Sequence, residues 1–144
     1  MTWVIGGATL FGYGFTLSDI CVSFDEGNDI DCLQKVYPLG RDIVAGFSGS
    51  VKLGFMLLED LRRCLMIPQD EDDTAWMPRW VSLKWRRRAR RIFKHAPEEL
   101  KKEGSNILMV GVSPKENIGD TPFPKCTVSV LRAPDFEPKF STPN

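Results

Sequence analysis

At 144 residues the chain is long enough for one domain with a real core, and its 42% hydrophobic and 26% charged residues exclude a disordered polypeptide. Lys plus Arg and Asp plus Glu number 19 each, so no global charge points to nucleic acid or a membrane as the main partner. Cys21, Cys32, Cys64 and Cys126 form no C-x-x-C pair, no basic and apolar leader follows Met1, and no apolar run approaches the roughly 20 residues of a membrane span. A soluble, cytoplasmic protein with free thiols, no metal site and no cofactor is expected.

Residues 2–9 and 14–24 are rich in Val, Ile, Phe, Thr and Tyr and flank a turn at Phe11-Gly12, which predicts an antiparallel strand pair. In the second strand the period of two aligns Asp19 with Phe15, Leu17 and Cys21, making the aspartate the odd member of its face. Backbone amides could satisfy it there, or a bulge could turn it to the other face. Residues 25–31 are acidic but lack the twelfth-position glutamate of a calcium loop, so a solvated turn is expected. Residues 32–39 resume extended character around Lys35, residues 38–42 turn, and residues 43–47 form a short apolar strand running into Ser48-Gly49-Ser50.

From Ser50 the period becomes helical, with Val51, Gly54, Phe55, Leu58, Leu61 and Leu65 on one stripe and Pro68 as terminator. Ser48 or Ser50 can cap the first turn. The acidic stretch 69–74 reads as a linker. Residues 76–95 predict a second helix, whose stripe is Trp80, Val81, Leu83, Trp85, Ala89, Ile92 and Phe93. Its other face carries Lys84, Arg86, Arg87, Arg88, Arg90, Arg91 and Lys94, open to three readings: a phosphate patch, a protein-docking face or a solvated face. His95, the single histidine, lies at the end of that helix, where a helix-terminus interaction is its ordinary role.

A helix restart near residues 96–100 stops at Gly104. Residues 106–113 and 126–131 then read as a second hairpin with a long loop, and the Pro-rich tail 133–144 shows no periodicity. The element pattern is α+β, with helices gathered on one face of antiparallel sheets, in a single domain spanning 1–144.

The Met-Thr start, the Ser18-Asp19 strand, Gln34-Lys35-Val36, the run Ile43-Val44-Ala45-Gly46-Phe47-Ser48-Gly49-Ser50 and the Phe55-x-x-Leu58 helix together resemble the HslV type of bacterial proteasome-like protease and, more distantly, proteasome β subunits. These are N-terminal nucleophile hydrolases. The resemblance implies an αββα sandwich of two antiparallel sheets, expected to be incomplete here because nothing after Leu131 supplies the family's later strands, helices and serine/aspartate cluster. It implies Thr2 as nucleophile once Met1 is removed, Asp19 and Lys35 as its supporting pair, and Gly46 as the oxyanion-hole amide.

The chemistry suits those residue types. An α-amino group, with an ordinary pKa near 8, can take the proton of its own threonine hydroxyl. A lysine cation lowers that amine's pKa and favours the alkoxide, and an aspartate holds the cation. One oxyanion donor is typically worth about 3 kcal/mol of barrier. The implied function is threonine-type hydrolysis of peptide bonds inside a homo-oligomeric ring fed with unfolded protein by a ring ATPase. The alternative is a catalytically inactive proteasome-like subunit with an assembly role.

Overall fold

The computed structural model describes residues 3–23, 29–31, 33–65 and 77–141. In chain order the elements are β1 (Val4–Ala8), β2 (Gly14–Ser18), β3 (Cys21–Ser23), β4 (Asp29–Asp31), β5 (Val36–Pro38), β6 (Ile43–Gly49), α1 (Val51–Leu65), α2 (Pro78–His95), α3 (Glu98–Lys102), β7 (Ser105–Asn117), β8 (Pro124–Arg132) and β9 (Pro138–Ser141). The fold is α+β with antiparallel sheets throughout. A five-stranded sheet ordered β5-β6-β7-β8-β9 is its centre, and β1-β2 and β3-β4 are separate two-stranded pairs.

Period-two alternation gives the central sheet two different faces. Ile43, Ala45 and Phe47 of β6, Ile107 and Met109 of β7 and Leu131 of β8 point toward α1 and α2 and form the larger core. Leu108, Val110, Cys126 and Val128 point the other way and pack beneath Val4 and Ala8 of β1. The result is three layers: helices, five-stranded sheet, two-stranded hairpin.

Helix α1 follows the predicted stripe in part: Gly54, Leu58, Leu61 and Leu65 are buried as expected, Val51 is only partly buried, and Leu53, outside the expected stripe, is buried. Leu57 is buried too, while Phe55 is displaced to the rim. Gly54 is required because the Phe47 ring lies against it; a Cβ there would sit 2.2 Å from Phe47 Cδ2. Gly49, with φ +97°, makes the sharp exit from β6, and the Ser50 hydroxyl accepts from Leu53 N–H at 3.5 Å as the cap. Helix α2 buries Pro78, Val81, Ser82, Trp85 and Ala89. Trp80, predicted in that stripe, is instead 48% exposed, because it lies about 100° around the helix from Val81.

Three predicted boundaries change. The strand expected over 14–24 breaks at Asp19 and Ile20 into β2 and β3. The solvated turn expected over 25–31 contains β4, paired Cys21↔Asp31 and Ser23↔Asp29. The tail also contains a strand, since β9 pairs with β8 along Val128↔Ser141 to Leu131↔Pro138. Its anchor is Phe136, fully buried at φ +49° with its ring 5.8 Å from Phe93; Phe136 N–H donates to Arg132 O at 2.7 Å. One buried ring followed by an edge strand needs no periodic apolar pattern. Trp76 and Pro68 lie outside the described residues, as does the acidic stretch 69–74. Cys64 and Cys126 are free thiols; Cys32 and the Cys21 side chain are not among the described groups.

Candidate functional site

The N-terminal hairpin and the segment before β5 bring two of the four predicted site residues together. Strand β1 runs antiparallel to β2 with Val4 opposite Ser18, so the next rung places Trp3 beside Asp19. Asp19 N–H donates to Trp3 O, and Trp3 N–H donates back to Asp19 Oδ1, both at 3.3 Å. The same Oδ1 accepts from Lys35 Nζ at 2.9 Å. The break after β2 lets the aspartate leave the face of Phe15 and Leu17, which stay about half exposed while the Asp19 side chain is 13% exposed.

Lys35 is 1% exposed, among the described residues the largest side chain buried so completely. An ammonium at that depth is costly unless it is paired and hydrogen-bonded, and the Asp19 carboxylate offsets part of that cost. Lys35 reaches the pair from the central sheet, where its carbonyl accepts from Phe47 N–H at 3.1 Å and extends the β5-β6 ladder. Asp19 therefore ties a cation on the sheet to the backbone of the residue that directly follows Thr2. Thr2 itself lies outside the described residues.

Gly46 lies in the middle of β6, opposite Val36 on one side and Leu108 on the other. Phe47 N–H points to the β5 side, so by alternation the Gly46 N–H faces β7 and belongs to that ladder. The predicted oxyanion amide is thus turned into the sheet. What Gly46 supplies is clearance: a Cβ would lie 2.9 Å from Val36 Cγ2 and 3.0 Å from both Lys35 O and Val4 Cγ1.

That clearance opens onto a cleft of about 250 Å³ lined by Val4, Gly46, Ser48, Asn106, Leu108, Val130 and Arg132. Sequence reasoning missed Trp3, Ser48, Asn106 and Arg132. Alternation alone puts each on a strand face, but only the register between distant strands makes them neighbours. The wall of the cleft at Val4 and Gly46 touches the segment that carries Lys35.

Three arginines of the basic face of α2 are ion-paired. Arg88 binds Asp60 of α1 through two nitrogens, at 2.9 and 2.6 Å, and Trp85 Nε1 donates to the same carboxylate at 2.9 Å. The Arg88 hydrogen bond holds the Asp60 carboxyl below its ordinary pKa, against the opposing effect of partial burial; the Trp85 bond adds to the lowering. Arg86 and Arg90 both pair with Glu137, and the Arg90 hydrogen bond lowers that carboxyl likewise. His95 Nδ1 lies 2.7 Å from Arg91 O at the helix end. Burial raises the pKa of the Cys126 thiol, and that of Cys64 with added repulsion from Asp60.

Among the described residues no group of three or more His, Cys, Asp or Glu side chains could hold a metal ion. No helix among them is long and apolar enough to cross a membrane. No protein-family model matches the chain, and no curated protein matches it significantly.

Proposed function

We propose that the protein is an N-terminal nucleophile hydrolase of the threonine type, similar to HslV and proteasome β subunits, that cuts peptide bonds within a homo-oligomeric ring. Loss of Met1 would leave Thr2 as nucleophile and its own amine as base. Lys35 would lower the pKa of that amine, and Asp19 would fix Lys35 in place. The observation that carries this reading is the Asp19 carboxylate bonded at once to buried Lys35 and to the amide of Trp3. A buried cation held one residue from a prospective terminal threonine suits that chemistry and has no need for a further acid or base.

The three layers support the αββα reading, with the hairpin as part of the second sheet. Assembly is supported by the outer face of the hairpin, where Trp3, Ile5, Phe15 and Leu17 are each at least 46% exposed, an apolar patch of the kind that marks interfaces. In this reading a ring ATPase would deliver unfolded protein.

A second reading, a catalytically silent proteasome-like subunit, is favoured by one observation: the Gly46 amide faces the sheet. In that case Asp19 and Lys35 would pin the hairpin and do nothing else, and the threonine reading needs its oxyanion donor from elsewhere in the turn that Gly49 begins.

Intact mass and an N-terminal-threonine-directed electrophile separate the two. Loss of Met1 with one covalent adduct, abolished by Thr2→Ala, is expected of the enzyme. Full retention of Met1 with no adduct would overturn the enzyme reading.

A further inference from the structure

The cleft beside Val4 is built from two cross-strand rungs. Ser48, Asn106 and Arg132 are successive partners across β6, β7 and β8, and Gly46, Leu108 and Val130 form the next rung inward. All six lie on the hairpin-facing side of the sheet. The outer rung is polar and the inner one apolar, with Val4 as a further apolar wall.

The polar rung is rich in donors. Asn106 Nδ2 donates to Ser48 Oγ at 3.2 Å, which leaves the second amide hydrogen of Asn106 and the hydroxyl hydrogen of Ser48 available. Arg132 adds a guanidinium. Among the described residues no carboxylate pairs with it, whereas Arg86, Arg88 and Arg90 all have acidic partners. Among the described residues no acidic side chain lines the cleft. A planar fork of N–H donors next to an amide and a hydroxyl matches a carboxylate, and the apolar rung beneath suits the methylene groups that would carry one.

We propose that this cleft is a carboxylate-binding subsite that accepts the acidic side chain of a peptide, with Arg132 setting the preference. Its consequence for cleavage rests on the threonine-hydrolase reading above, because Val4 places the cleft two residues along the chain from Thr2. Its consequence for binding does not.

The test uses the full chain carrying Thr2→Ala, to prevent turnover, and fluorescent peptides in matched pairs that have Glu or Gln at one position and an amidated C-terminus. In fluorescence anisotropy the Glu peptide should bind about tenfold more tightly than its Gln partner. Arg132→Gln should remove that advantage, and Arg132→Lys should keep part of it. Arg132 is exposed, so unchanged circular dichroism and thermal midpoint would show that these variants fold normally.

Equal binding of the two peptides, or a Glu advantage that survives Arg132→Gln, overturns the proposal. So does binding that is equal for Glu and Gln but appears only when the same peptides carry a free C-terminus in place of the amide, which would assign the cleft to a terminal carboxylate. Hydrolysis by the unmodified protein is measured in parallel. Glu-selective binding without hydrolysis would sustain the subsite and sink the peptidase reading; hydrolysis with no Glu preference would do the reverse.

Discussion

The two faces of the central sheet are made from alternate residues of the same strands, yet they are different materials. The helix side is a hydrocarbon core: Phe47, Leu53, Leu57, Leu61, Ile107, Met109, Leu131 and Phe136 are all fully buried. The hairpin side has a smaller apolar cluster and, beside it, a buried ion pair and an open cleft. One face holds the fold together. The other has surrendered packing for charge and clearance, which is where a protein keeps groups that act on something else.

The sharpest contrast comes from changing one residue on each face. Phe47→Ala removes a ring packed against Gly54 and 5.1 Å from the Phe55 ring, and should lower stability by about 3–5 kcal/mol in urea unfolding. A loss under about 1 kcal/mol would mean the helix side is not the main core. Asp19→Ala should cost nearly as much, about 3 kcal/mol, because it removes the carboxylate bonded to the buried Lys35 ammonium. The double change Asp19→Ala with Lys35→Met should return most of that stability and, on the proposed threonine-hydrolase function, show no peptide hydrolysis. Activity in the double variant would refute a chemical role for the pair.

Smaller effects are expected where charges meet water. Asp60 has a folded pKa below its unfolded value, so its contribution is present above the ordinary carboxylate range, near pH 4, and is lost as pH falls through the depressed folded value. Asp60→Asn should therefore cost about 1–2 kcal/mol at pH 7, and its stability should converge on that of the parent in the acid limb. A gap that persists unchanged at low pH would show that charge is not the cause. Smallest of all, Lys84→Ala with Arg87→Ala should change stability by less than about 0.5 kcal/mol, since both are exposed and neither forms part of the α2 ion-pair network.

Both long helices were legible because burial of one face imposes a 3.6-residue period that nothing else produces; Leu57, Leu61, Val81, Trp85 and Ala89 carry it. The hairpin β1-β2 was legible for the corresponding reason at period two. Strand β9 was not, because its hold on the fold comes from a single residue, Phe136, outside any repeat. The basic face of α2 was open to three readings because its partners, Asp60 and Glu137, are 28 and 47 residues or more from the arginines they bind.

The sequence by itself determined the α+β class, the helices, the first hairpin and the oddity of Asp19, since each follows from local periodicity and residue chemistry. The family resemblance implied that Asp19 and Lys35 pair, and the structure joins them across 16 positions; only the tertiary structure decided that the Gly46 amide turns into the sheet and that Ser48, Asn106 and Arg132 share a rung. Strand register and the break after β2 settle those relations, and both arise when sheet faces compete for burial.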